Sequence, residues 1–81
     1  MYRLEIKDSA RAKLRLLPED IRRTIGYRLY LLQDDLAGDV KKLTAQDKKY
    51  RLRVGSFRVL FRLEDDVIMV YDVKDRKEAY E

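Results

Sequence analysis

Apolar positions along this chain recur at two spacings, and each change of spacing marks an element. Leu4 and Ile6 alternate with Arg3, Glu5 and Lys7, which predicts a short first strand over residues 3–7. Asp8 and Ser9 are suited to cap a helix N-terminus, and Ala10, Leu14 and Leu17 then fall on one side of a short helix ending near Leu17. Pro18 interrupts that helix and fits the first turn of another, where Glu19 and Asp20 place favourable negative charge. Ile21, Ile25, Leu29, Leu32 and Leu36 recur every three or four residues, so a second helix is expected over Glu19–Ala37, stopped by Gly38. Residues 39–49 are polar, basic and without period, and read as a loop. Strict alternation follows over Tyr50–Val54 and Phe57–Leu63, with Gly55-Ser56 between them as a two-residue hairpin turn. Glu64-Asp65-Asp66 is the next turn, and Val67 to about Lys74 is a β-branched-rich strand.

The resulting order is β-α-α-β-β-β. Strands joined by tight turns pair antiparallel, and the helical hairpin must bury its apolar stripe on a sheet face. The fold class expected is therefore α+β: a two-layer domain with a helical hairpin packed on one face of a mainly antiparallel four-stranded sheet. Eighty-one residues make one such domain, spanning 1–81. A chain of this length has no room for both a core and a deep enclosed pocket, so function should sit on an open face.

Composition narrows the chemistry. The chain has no Cys and no His. Disulfides, thiol nucleophiles, Cys/His zinc sites and imidazole acid–base catalysis are excluded; a carboxylate-only metal site stays open, although the acidic residues do not cluster in a known ligand spacing. The alternating N-terminus is unlike a signal peptide, and no apolar run approaches the roughly 20 residues of a membrane span, so a soluble, cytoplasmic protein is expected. The net charge is +4, but between Lys41 and Arg62 eight basic residues (Lys41, Lys42, Lys48, Lys49, Arg51, Arg53, Arg58 and Arg62) face one acid, Asp47. So concentrated a charge points to an anionic partner.

Period-2 geometry sorts these residues. Tyr50, Leu52 and Val54 point one way, with Phe57, Val59, Phe61 and Leu63; Arg51, Arg53, Arg58, Leu60 and Arg62 point the other. The arginines should therefore share the sheet face opposite the helices. Like charges on neighbouring strands repel, an arrangement that a bound polyanion would offset. Arginine suits phosphate because its planar fork bonds two oxygens at once. In the last strand strict alternation sets Ile68, Val70, Asp72 and Lys74 against Val67, Met69, Tyr71 and Val73, so one apolar set must lie on the open side with Leu60. Tyr27 and Tyr30 on the second helix read as packing or rim residues.

The segment Tyr50-Arg51-Leu52-Arg53-Val54-Gly55-Ser56-Phe57-Arg58-Val59-Leu60-Phe61 resembles the signature strand hairpin of the RelE/ParE superfamily of small toxins. Arg76-Lys77-Glu78-Ala79-Tyr80 is similar to the closing motif of its RelE-type members, and the element order and length also fit. The resemblance implies the toxin of a type II toxin–antitoxin system: a metal-independent endoribonuclease, needing no cofactor, that cuts mRNA on the ribosome and inhibits translation. It implies catalytic roles for Arg51 and Arg53, where RelE-type enzymes carry paired basic residues, often lysines. Arg58 falls on the arginine that binds the scissile phosphate, Arg76 near the C-terminal catalytic arginine, and Tyr80 on the C-terminal tyrosine that stacks on a base or helps proton transfer. Lys41, Lys42, Lys48, Lys49, Arg62, Lys74 and Lys77 would bind RNA and ribosome.

Two departures stand out. Asp75 occupies the place where many members have a His, and Arg51 and Arg53 do not lose a proton readily, since the arginine pKa exceeds about 12. Lys48, Lys49, Lys74 and Lys77 are all near enough to serve as general base, and no motif chooses among them. The implied partners are an acidic RelB-like antitoxin in a hetero-oligomer, the ribosome and mRNA, with no membrane. An apolar strip beside the arginines would suit an antitoxin segment or burial under the C-terminal tail. Two alternatives share the fold: a ParE-like inhibitor of DNA gyrase without RNase activity, and a non-toxic RNA-binding or interaction module.

Overall fold

The computed structural model describes residues 1–44 and 48–75. Seven elements follow in the order β1 (Arg3–Ile6), α1 (Asp8–Arg15), α2 (Glu19–Leu32), β2 (Val40–Thr44), β3 (Lys49–Val54), β4 (Phe57–Glu64) and β5 (Val67–Asp75). The strands form a single five-stranded sheet in the order β1-β5-β4-β3-β2. β1 runs parallel to β5, with Arg3 opposite Val67 and Ile6 opposite Val70, and the remaining pairs are antiparallel. The two helices lead the chain from β1 at one sheet edge to β2 at the other, and the antiparallel strands that follow bring β5 back beside β1. The α+β class stands, with a mixed sheet.

The core forms where the helical stripe meets one sheet face. Ala10 of α1 and Ile25, Leu29 and Leu32 of α2 bury completely against Leu52, Val59, Phe61, Ile68 and Val70. Phe61 is its largest member, and the ring of Tyr50 stacks on it with centroids 5.4 Å apart.

Three expectations need correction. The segment read as a loop contains β2, an edge strand in which Val40 faces Leu52 and Lys41 faces Arg51, giving five strands rather than four. Val-Lys-Lys-Leu-Thr does not alternate; the strand is held by backbone pairing with β3, and its lysines blunt an exposed edge. The second helix ends at Leu32 rather than Ala37, because the carbonyl of Gln33 accepts the Tyr2 N–H (2.9 Å) and the Gln33 side-chain amide donates to the Tyr2 carbonyl (3.1 Å). Asp35 and Leu36 then turn through left-handed backbone. At the first helix the N-cap is Lys7, without a side-chain cap, and Asp8 is the first helical residue; the helix stops at Arg15.

Gly38 is consequently the entry to β2 rather than a helix stop. Its φ is +126°, and a Cβ there would lie 3.0 Å from Leu52 Cδ1. Gly38→Ala should lower unfolding free energy by about 1–3 kcal/mol, from backbone strain and crowding of a core leucine. Urea denaturation of the two proteins measures the difference; equal midpoints would contradict it.

Candidate active site

The hairpin register decides which cations meet. Arg53 pairs with Arg58, Arg51 with Leu60 and Lys49 with Arg62, while Leu52 and Val54 oppose Val59 and Phe57. Because Leu52, Val54, Val59 and Phe61 enter the core, the alternate residues stand on the face away from the helices. The shared face expected for Arg51, Arg53, Arg58 and Arg62 is thus observed.

A β-bulge in β5 extends this face. Leu60 pairs with Asp72 and Phe61 with Val70, which leaves Tyr71 as an extra residue without a partner. Ile68, Val70 and Val73 therefore all enter the core, although strict alternation separates Val73 from the other two. Past the bulge the parity is reversed, and Lys74 comes to stand opposite Arg58. Without the inserted residue Lys74 would point into the helical layer.

Three rows of side chains cross the open face. Arg53, Arg58 and Lys74 form the first; Lys41, Arg51 and Leu60 the second, ending at the Asp72 position; Lys49, Arg62 and Met69 the third. Neighbouring strands lie about 4.8 Å apart, so each row sets cations close together. Arg53 and Arg62 are exposed, and Arg58 and Lys74 are half-buried. Arg51 is more deeply set: its side chain is only 12% exposed, its guanidinium lies 3.9 Å from the Asp39 carboxylate, and its Nε is buried without a hydrogen-bond partner. A buried donor left unsatisfied costs about 1–3 kcal/mol, which a phosphate oxygen would offset.

The other expected residues divide. Lys41 and Lys49 belong to the basic face. Lys42 does not: it pairs with Tyr50 in β2–β3 and holds its ammonium 5.9 Å from the Tyr50 ring on the helical side. Lys48 is exposed in the turn before β3, with φ +50°. Arg76, Lys77 and Tyr80 lie outside the described residues.

Tyr71 was not singled out by the sequence. It is half-buried on the basic face, with the Lys49 ammonium 5.9 Å from its ring centroid. Burial chiefly, and then the nearby Asp72 carboxylate, push its phenol above the ordinary value against the opposing influence of Arg62. The ring is therefore a neutral phenol at physiological pH. Asp72 itself turns to α1, accepting a hydrogen bond from the Lys13 ammonium at 2.6 Å.

Among the described residues no group of three His, Cys, Asp or Glu is placed to hold a metal ion, and no helix is long and apolar enough to cross a membrane.

Two helices on one face of a mixed sheet, with the hairpin arginines on the other, give the chain a RelE-like fold. The sequence matches no protein-family model and no curated protein. Among solved structures, the chain is similar to the RelB-RelE antitoxin-toxin complex of Methanococcus jannaschii, at 26% identity over 93% of each chain with a TM-score of 0.77. It is also similar to the archaeal RelE-RelB complex of Pyrococcus horikoshii OT3, at 27% identity over 93% of this chain and 94% of that one, TM-score 0.78. The isolated RelE toxin of E. coli shares the fold at 21% identity, over 99% of this chain and 92% of that chain, with a TM-score of 0.80.

Proposed function

We propose that this chain is the toxin of a toxin–antitoxin pair and acts as a metal-independent, ribosome-dependent mRNA endonuclease. The observation that carries the reading is the row Arg53, Arg58 and Lys74 on the open face of a RelE-like sheet. It offers a fork-shaped phosphate ligand and a titratable amine on adjacent strands.

In the reaction the 2′-hydroxyl oxygen of one nucleotide attacks the adjacent phosphorus, and the bond to the departing 5′-oxygen breaks. The 2′-hydroxyl proton goes to a base, and the leaving oxygen gains a proton. The products are a 2′,3′-cyclic phosphate and a 5′-hydroxyl. Arg58 binds the scissile phosphate, and Arg51 and Arg53 stabilise charge growing on its non-bridging oxygens. Arginine cannot take the proton at neutral pH. Lys74 is the amine in register with Arg58, and we assign it the proton-transfer role. Arg76 and Tyr80 complete the set by resemblance. Without an imidazole, much of the rate comes from the ribosome holding the mRNA in line. In the resting cell, an acidic antitoxin segment covers the basic face.

Lys74→Arg keeps the charge and replaces the amine with a guanidinium. It should slow single-turnover cleavage by about 10²-fold or more while leaving ribosome affinity within a few-fold. A Lys74→Arg protein as fast as wild type would remove Lys74 from proton transfer. The overall function is tested by inducing the chain in cells, mapping mRNA 5′ ends and assaying gyrase-dependent DNA breaks in parallel. New 5′-hydroxyl ends inside coding sequence are expected; DNA breaks with intact mRNA would replace this reading with gyrase inhibition.

A further inference from the structure

An aromatic ring stands at the bulge that turns Lys74 onto the basic face. Tyr71 is the residue of β5 that the ladder leaves without a partner, between Val70 opposite Phe61 and Asp72 opposite Leu60. Bulges re-aim side chains, and they concentrate beside functional sites. The other aromatic residues of the described sheet, Tyr50, Phe57 and Phe61, lie on the helical side, so Tyr71 is the aromatic of the open face among the described residues.

Its surroundings have a particular composition. Lys49 reaches over the ring from β3, at 5.9 Å from the centroid, and Arg62 acts on the phenol electrostatically from β4. Half-buried Leu60 and Met69 stand on the same face on adjoining strands. A flat, neutral ring beside apolar side chains offers a stacking surface, and the cations around it offer phosphate ligands. A nucleotide supplies both halves of the complement at once: a planar base for the ring and a phosphate for Lys49 or Arg62. The lysine stem is flexible enough to leave the ring for that phosphate. An apolar peptide side chain would meet the ring and leave the cations unmatched.

We propose that Tyr71 is a nucleobase-stacking platform on which one base of single-stranded RNA lies while the flanking phosphates run along the rows of Arg and Lys. The proposal rests on the reading of the chain as an RNA-cleaving toxin and adds a base subsite to it.

The test uses the full chain and two short single-stranded oligonucleotides of equal length and charge. One is a 2′-O-methyl RNA carrying bases, which cannot be cleaved, and the other has abasic positions throughout. Affinities are read by fluorescence anisotropy. Wild type should prefer the base-bearing strand by about tenfold or more. Tyr71→Phe should keep that preference. Tyr71→Leu should lose it and still bind the abasic strand as wild type does, with the same salt dependence, which shows that the basic face is intact. Equal affinity of wild type for the two strands overturns the proposal without any variant. So does a preference that survives in Tyr71→Leu. Tyr71-dependent binding of an acidic peptide, with no base preference, would assign the ring to a protein partner instead. Ribosomal cleavage is assayed separately. Cleavage without base preference removes the stacking site alone, and base preference without cleavage removes the catalytic reading alone.

Discussion

Arg58→Ala is expected to lower the single-turnover rate of mRNA cleavage by about 10²-fold or more, equivalent to about 3 kcal/mol of transition-state stabilisation. Arg58 sits at the middle of the first row, with Arg53 in register on one side and Lys74 on the other, so a phosphate held by it would lie between two further cations. Negative charge grows on the phosphoryl oxygens as the reaction proceeds, and a ligand that strengthens with that charge raises the rate rather than the affinity. Ribosome binding should change by only a few-fold, because it draws on many dispersed cations. The two quantities separate with salt. Binding should weaken steeply as salt rises, whereas the rate of the bound complex should not. Arg58→Lys keeps the charge without the two-pronged geometry and should recover only part of the rate. Loss of ribosome affinity equal to the loss of rate would show that Arg58 merely anchors the complex.

The second large effect is on stability. At about 0.05–0.15 kcal/mol per residue, an 81-residue chain has roughly 4–12 kcal/mol in hand. Phe61 is fully buried in the core, and the Tyr50 ring stacks on it. Phe61→Ala should cost about 3–5 kcal/mol, from lost apolar burial and the cavity left behind. The melting temperature should fall by on the order of 20 °C. Phe61→Leu should cost appreciably less, since it leaves a smaller void. Thermal melts followed by circular dichroism measure both. A fall of a few degrees for Phe61→Ala would mean that the two layers collapse to refill the space.

The sequence reveals the hairpin because three signals agree there: strict alternation, a Gly-Ser turn, and arginines confined to one parity. Each signal is local, and tertiary structure does not override it. The core stripes on the helices are legible for the same reason, with Ile25, Leu29 and Leu32 buried as their spacing requires. What alternation misses depends on pairing. β2 is a strand because β3 offers it a partner, and its own five residues carry no pattern. The end of α2 is set by Tyr2, more than thirty positions away, through its exchange with Gln33.

The site shows the sharpest contrast. Arg51, Arg53, Arg58 and Arg62 follow from parity alone. Lys74 depends on a single inserted residue in β5, because strict alternation groups it with Ile68 and Val70, which enter the core; Tyr71 keeps the parity of Met69. A run such as Val67-Ile68-Met69-Val70-Tyr71 is apolar on both parities and gives no sign of where the register slips. The sheet partner decides it, through the jump from Phe61 opposite Val70 to Leu60 opposite Asp72.

The measurement that bears most directly on the central claim is cleavage of a defined mRNA on purified, programmed ribosomes, with the chain added in the absence of divalent-metal cofactors beyond those the ribosome needs. The expected result is cuts in the ribosome-bound message that leave 2′,3′-cyclic phosphate and 5′-hydroxyl ends, and that disappear with Arg58→Ala under conditions where the variant still binds. A message that stays intact in the presence of folded, ribosome-bound wild-type protein would contradict it.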